Sequence, residues 1–308
     1  MNEARPVSHA TQPGGTAPRA LSLRQSLLAL FKVRIVGLLL AASAGGAILA
    51  AGGWPGGGDM AVLVLAGGLA ASGASALNEW LEQGADARME RTRHRRPLVN
   101  GTWRRAGWVP WLGALMIVVP SLAVLPSRPA LTFFLLLGAF VYVPVYTLWL
   151  KQRTPLNIVI GGLAGSAAVL SGSAAVGAWQ DRGALILALL VFLWTPTHFW
   201  SLAIVHRDDY ARGGFPMLPV RVRPRAAAWW VLLHTGGTAL AALALAVQPS
   251  LGWIYLAPVG LATAFLLWRN ARLLRQPTAR QAYLLFHTTN LYLALVMLAI
   301  CLDVAVFA

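Results

Sequence analysis

The sequence has a single cysteine, Cys301, and only ten acidic residues among 308. One thiol excludes a disulfide framework, a thiolate metal cluster and a paired-thiol haem attachment. Charged residues of both signs make up 11% of the chain, whereas a soluble domain carries about a quarter. Such a chain cannot clothe a water-facing surface, so a soluble fold is excluded. Its formal charge of +15 suggests nucleic acid only on a polar surface, and here there is none, so no nucleic-acid partner is expected. What the chain does have is apolar length, with 57% hydrophobic residues. The reading is an all-α, polytopic helical bundle with the lipid bilayer as its solvent.

Residues 1–23 are small and polar without an apolar period, and read as a disordered cytoplasmic tail. Residues 24–308 read as one transmembrane domain. Apolar stretches of spanning length recur at 34–53, 59–78, 108–126, 129–150, 157–179, 183–205, 227–247, 251–270 and 283–305. Tryptophans such as Trp54, Trp108, Trp149 and Trp253 fall near their ends, as an interfacial belt requires. With the tail and every second loop on one side, that side holds 23 of the 25 Lys and Arg residues; Arg128 and Arg182 alone lie opposite. The positive-inside rule then puts the N-terminus in the cytoplasm and, with nine spans, the C-terminus outside a bacterial-type inner membrane.

The scarce acids are not scattered. Six of the ten, Glu79, Glu82, Asp86, Glu90, Asp208 and Asp209, sit in two cytoplasmic loops four spans apart. That suggests a weak internal repeat whose halves offer carboxylates to one cavity. Asn78, Glu82, Asp86 and Glu90 are spaced by four, which stacks their oxygens on one helix face. Like charges at this spacing repel unless a cation lies between them. Mg²⁺ suits hard oxygen donors and usually shares its shell with substrate phosphates. Gly84 weakens a continuous helix here by about 1 kcal/mol, so a kink is expected before Asp86. Nearby Arg91, Arg93, Arg95 and Arg96, with Lys151 and Arg153 after the fourth span, supply cations for anionic oxygens. Acids for a metal beside bases for phosphate point to a diphosphate site.

The run Asn78-x-x-x-Glu82-x-x-x-Asp86, with Arg88-Met89-Glu90-Arg91-Thr92 after it, resembles the first aspartate-rich motif of UbiA-type intramembrane prenyltransferases. Its Met-x-Arg-Thr portion resembles the protohaem IX farnesyltransferase (haem O synthase) branch. So do Tyr146 to Lys151 with Asn157 to Gly162, Trp194-Thr195-Pro196-Thr197-His198-Phe199-Trp200, and Asp208 to Pro219. The likeness runs from about Lys32 to the last span. The chain departs from that pattern at Val33, Gln152, Ala168-Val169, Ser173 and Thr197, and Arg95-Arg96-Pro97-Leu98 carries one residue more than the family's Arg-Pro-Leu. These departures surround the expected acceptor pocket more than the metal site.

The resemblance implies a UbiA-like fold that transfers farnesyl from farnesyl diphosphate to a vinyl group of haem B. Mg²⁺ would be held by Asn78, Glu82 and Asp86 on one side and by Asp208 or Asp209 on the other. Lys151, Arg91 and Arg95 would neutralise the departing diphosphate, with Arg153 close by. Tyr146 and Tyr210 would support the cation or the phosphate, and His198 would contact haem. A downstream haem-modifying enzyme or terminal-oxidase assembly would take the product. The nearest alternative keeps the fold and changes the acceptor, for example to a quinone precursor. A transporter would place its polar ligands near the bilayer midplane instead.

Overall fold

The computed structural model describes residues 21–103 and 105–307. The expected tail lies outside the described residues as far as residue 20, and so does the loop residue Arg104. The tail's last residues are ordered: Leu21 N–H donates to Thr102 Oγ1 at 3.2 Å, and Ser22 caps the first helix through a capping box with Gln25.

The chain forms α1 (Leu23–Leu30), α2 (Val33–Ala51), α3 (Gly57–Leu81), α4 (Gln83–Arg88), α5 (Glu90–Arg93), α6 (Val109–Val124) and α7 (Pro129–Phe140). From α7 it continues as a π-helix over Val141–Leu150. There follow α8 (Asn157–Gly161), α9 (Leu163–Ala175), α10 (Arg182–Val205), α11 (Arg207–Gly213), α12 (Leu218–Arg221), α13 (Pro224–Leu245), α14 (Trp253–Arg275) and α15 (Ala279–Phe307). No strand occurs among the described residues. Each of the nine expected spans is helical. Seven are long and apolar enough to cross a membrane; the other two are Val109–Val124, of 16 residues, and Trp253–Arg275, which ends in arginines. The protein is an integral, multi-pass membrane protein.

Tracing which helix packs on which gives a closed circuit: α2, α3, α6, α7, α9, α10, α13, α14, α15 and back to α2. Within it, α2 lies against α9 and α10, and α10 against α15. In lipid, helices gain little from apolar contact as such, so close approach through small residues matters more. At the α2–α9 crossing, a Cβ on Gly172 would land on the Ser43 carbonyl, and Ser43 Oγ donates to the Ala168 carbonyl at 2.6 Å. Gly73 and Gly113 play the same part between α3 and α6.

Among the described residues, the acids outside the two clustered loops, Asp59, Asp181 and Asp303, hold the opposite end of the bundle together. Asp59 pairs with Arg128 at 2.7 Å, and Asp181 caps α10 through Ala184 N–H at 2.8 Å. Asp303, on α15, is fully buried and accepts from Gly252 N–H at 2.6 Å and Tyr255 N–H at 2.8 Å, so one helix caps the start of another. Asp303→Ala leaves two N–H groups unpaired, at about 1–3 kcal/mol each. The expected result is a clear drop in melting temperature in detergent, largely recovered by Asp303→Asn; an unchanged melting curve for the alanine variant refutes this role.

Candidate active site

Helix α3 runs past the expected span end at residue 78 and stops at Leu81, so Asn78 and Glu79 sit in its last turn. Glu82 leaves the helical region (φ −95°, ψ 4°) and starts α4, two residues before the break expected at Gly84. The bend does not scatter the motif, because Asn78, Glu82 and Asp86 are all buried. Met89 then turns extended (φ −95°, ψ 125°), and the four-residue rhythm ends there. Glu90 faces outward and pairs with Arg93 at 2.7 Å instead of joining the set.

Three cationic side chains from distant segments converge on this pocket. Lys151 Nζ donates to Glu82 Oε1 at 2.5 Å, and Arg96 meets Asp86 Oδ2 at 2.5 Å with Glu82 Oε2 at 3.8 Å. Lys32 Nζ donates to Asn78 Oδ1 and, at 3.1 Å, to Tyr142 Oη. Burial raises the pKa of Glu82, but Lys151, Lys32 and Arg96 outweigh it and bring the carboxyl below its ordinary value. At Asp86 burial prevails over Arg96, and the pKa is raised. Burial, reinforced by Arg96, pulls the Lys32 ammonium down to about 7.

The π-helix supplies the pocket's aromatic wall. Pro144 has no N–H to donate, and the widened turn closes by longer bonds such as Lys151 N–H to the Tyr146 carbonyl at 2.8 Å. Tyr142 and Tyr146 stack there at 5.8 Å between centroids. A Cβ on Gly161 would stand 2.8 Å from the Tyr146 ring, so glycine leaves the ring its space.

The second acidic loop reaches the first. After α11, Gly214 takes φ +79° and turns the chain back, bringing Phe215 under Lys151 Nζ at 4.6 Å from the ring centroid. Asp209 Oδ1 accepts from Glu90 N–H at 2.7 Å and from Arg212 at 2.9 Å, while Oδ2 accepts from Arg91 N–H at 3.2 Å. Burial opposes ionisation of Asp209, but Arg212 and the two backbone donors outweigh it and lower its pKa. Arg88 adds a bond to the Gly213 carbonyl at 3.1 Å. Between the loops lies a cleft of about 590 Å³ lined by Arg91, Arg95, Asp208, Asp209 and Arg212 among others. Arg91 lies 5.7 Å from the centroid of the buried Tyr210 ring.

The sequence-derived candidates thus fall into distinct places. Asn78, Glu82, Asp86, Lys151 and Tyr146 share the buried pocket, while Arg91, Arg95, Asp208, Asp209 and Tyr210 belong to the cleft and its wall. Arg153 is exposed beyond the π-helix. His198 lies apart, stacked on Trp194 at 4.4 Å and Phe286 at 4.6 Å, with Nδ1 3.0 Å from Thr289 Oγ1. Sequence reasoning passed over Lys32 and Tyr142 as site residues, and named Arg96 only as one of four nearby arginines. Arg96 had a signal, because it is the arginine that directly precedes Pro97-Leu98. Tyr142 stands four residues before Tyr146, on the same face.

The donor set fits Mg²⁺. Asn78, Glu82 and Asp86 present hard oxygens; Glu82 Oε2 is buried without a hydrogen-bond donor, and Asp86 Oδ2 faces the Arg96 guanidinium. Among the described residues, no three or more His, Cys, Asp or Glu stand close enough to hold a metal unaided. Asp208 and Asp209 therefore do not join Glu82 and Asp86 in one metal-sized cluster. Mg²⁺ bound here completes its shell with water or phosphate oxygens.

The model of the UbiA prenyltransferase family matches residues 38–300. A protoheme IX farnesyltransferase of Metallosphaera sedula is 40% identical over 243 residues, which are 79% of this chain and 84% of that one. Protoheme IX farnesyltransferase 1 of Saccharopolyspora erythraea is 39% identical over 99% of this chain and 98% of its own. Among solved structures, a digeranylgeranylglyceryl phosphate synthase superposes with a TM-score of 0.76 at 14% identity, covering 91% of this chain and 98% of that chain. A UbiA homologue from Archaeoglobus fulgidus bound to DMAPP and Mg²⁺ gives 0.63 at 14% identity, covering 89% and 99%. At such identities the structural likeness concerns the fold alone.

Proposed function

The chain belongs to the UbiA prenyltransferase family, and from that membership we propose that it transfers farnesyl from farnesyl diphosphate to a vinyl group of protohaem IX, giving haem O. The observation that carries the diphosphate half is the convergence of Asn78, Glu82 and Asp86 with Lys151 and Arg96 in one buried pocket. The acceptor rests on the relatives of about 40% identity, named protoheme IX farnesyltransferases, and on the block from Trp194 to Trp200.

In this reading Asn78, Glu82 and Asp86 hold Mg²⁺, water or phosphate oxygens complete its shell, and Asp208 lines the neighbouring cleft. When bound, Mg²⁺ supplies positive charge to the diphosphate oxygens. Lys151, Arg91 and Arg95 take up the negative charge that grows on the leaving group as the allylic C–O bond breaks with its electron pair. Tyr146 and Tyr142 present ring faces to the farnesyl cation. The vinyl π electrons attack C1 of farnesyl. Water adds to the resulting cation beside the pyrrole and loses a proton, which completes the hydroxyethylfarnesyl group. The apolar bundle keeps water from the farnesyl cation before the vinyl group reaches it. His198, stacked among aromatic rings on α10, contacts the flat acceptor.

We place the N-terminus and both acidic loops on the cytoplasmic side of a bacterial-type inner membrane and the C-terminus outside, and the product passes to a haem-modifying enzyme or oxidase assembly. The test is expression in cells lacking haem O synthase, with extracted haems read by mass spectrometry. Farnesylated hydroxyethyl haem is expected. Its absence, with a prenylated quinone precursor appearing instead, moves the assignment to the other acceptor within the same family.

A further inference from the structure

We infer that Lys32 is a displaceable cation that fills the metal's place on Asn78 in the unliganded enzyme, so that the divalent ion binds well only together with the diphosphate. The inference rests on the reading of Asn78, Glu82 and Asp86 as metal donors. The Thr147 hydroxyl gives its proton to the Tyr142 carbonyl at 2.8 Å, so it can only accept from Asn78, whose Nδ2 stands 3.0 Å away. The amide nitrogen is thereby fixed toward Thr147, and Oδ1, the one atom of Asn78 able to ligate a metal, faces Lys32 Nζ.

A metal and an ammonium cannot both sit on that oxygen, because like charges so close repel strongly in a buried site. One of the two must leave, and Lys32 is held more weakly than its neighbours. Lys151 and Arg96 have carboxylate partners, Glu82 and Asp86, whereas the partners of Lys32 are a neutral amide and a phenol. Lys32 is also the single non-glycine residue with positive φ among the described residues (φ 47°, ψ 47°), at the N-cap of α2. That conformation is disfavoured for a side chain with a Cβ and persists where surrounding contacts impose it. Release of Nζ removes one of the contacts that impose it.

Charge gives the coupling its direction. Glu79, Glu82 and Asp86 share the pocket with Lys32, Lys151 and Arg96. A divalent ion entering alone adds uncompensated charge to this buried set. Entering with a diphosphate, it does not, and the anionic oxygens also offer Lys32 a better partner than an amide. By linkage, the metal must tighten diphosphate binding by the factor with which the diphosphate tightens the metal.

The experiment uses Mn²⁺ as probe, titrated by electron paramagnetic resonance into the purified full chain, with and without unreactive farnesyl thiodiphosphate. Wild type is expected to bind Mn²⁺ weakly alone and about 100-fold more tightly with the analogue. Lys32→Met binds Mn²⁺ alone about tenfold more tightly than wild type, and its coupling shrinks accordingly. Lys32→Arg, which keeps the charge, stays close to wild type. Tyr142→Phe removes the second anchor of Lys32 and raises metal-only affinity a few-fold, a second reading should Lys32→Met fold poorly. Unchanged or weaker metal-only affinity in Lys32→Met or, where that variant misfolds, in Tyr142→Phe overturns the inference while leaving the diphosphate site standing. No Mn²⁺ binding by wild type even with the analogue overturns both.

Discussion

Glu82→Gln is expected to lower prenyl transfer by a factor on the order of 10²–10³, the usual loss when a group that stabilises developing charge is removed. Glu82 bends away from α3 into the pocket, bonds Lys151 through one oxygen and keeps the other without a donor. A glutamine preserves the shape and still accepts from Lys151, but it brings no negative charge to a cation. The change also leaves Lys151 without its counter-charge, and breaking a buried pair from one side costs about 3–5 kcal/mol. Activity and stability can be separated. In the double variant Glu82→Gln with Lys151→Met, the melting temperature should return toward wild type while transfer stays lost. Single-turnover product analysis by mass spectrometry, with detergent melting curves alongside, reads both. Glu82→Gln retaining more than about a tenth of wild-type rate would remove Glu82 from the metal-binding set.

Asp209→Ala should also depress transfer sharply, by about 10²-fold, while leaving the membrane bundle folded. Its two oxygens accept from Glu90 N–H, Arg91 N–H and Arg212, and so tie the second acidic loop to the first. Removing them orphans two N–H groups, at about 1–3 kcal/mol each. A loss near 3 kcal/mol in the docked state corresponds to about 10²-fold in rate. The loops then part without unfolding α3 or α10, so limited proteolysis near residue 90 should rise while the global melting temperature hardly moves. Because the folded pKa of Asp209 is depressed, the clasp is fully formed above the unfolded carboxylate value of about 3.9 and is lost as pH falls through the folded value. It is therefore intact throughout the neutral range, and an activity change between pH 6 and 8 arises elsewhere. Resistance to proteolysis equal to wild type, with activity intact, would show that Asp209 does not hold the loops together.

How much of this was legible beforehand differs from residue to residue. Asn78, Glu82 and Asp86 were readable because a four-residue spacing is a local property, and the chain keeps that spacing through the bend at Glu82. Glu90 obeys the same spacing and still leaves the set, since Met89 turns extended and sends it outward to Arg93. Among four neighbouring arginines, pattern favoured Arg91 and Arg95, whereas Arg96 makes the contact with Asp86. A family resemblance that includes an extra residue at Arg95-Arg96-Pro97-Leu98 does not settle which of two adjacent arginines meets the acid. Asp209 was legible as an acid in a marked place; its bonds to the Glu90 and Arg91 backbone were not, because they join residues 118 and 119 positions apart.

Composition alone determined that the chain lives in a bilayer, since apolar length and scarce charge leave no water-stable arrangement. The clustering of six of ten acids determined where to look for chemistry. Tertiary structure alone decided which cation meets which acid: Lys32 and Lys151 reach the pocket from remote segments through helix packing, and Arg96 reaches Asp86 through the fold of the loop after α3. It likewise decided that Asp303 caps α14 and that Lys32 covers the one oxygen of Asn78 that faces a cation. The physical reason is the same throughout. Periodicity and composition are fixed by neighbours along the chain, whereas the pairing of buried charges is settled by packing between helices, which no local pattern encodes.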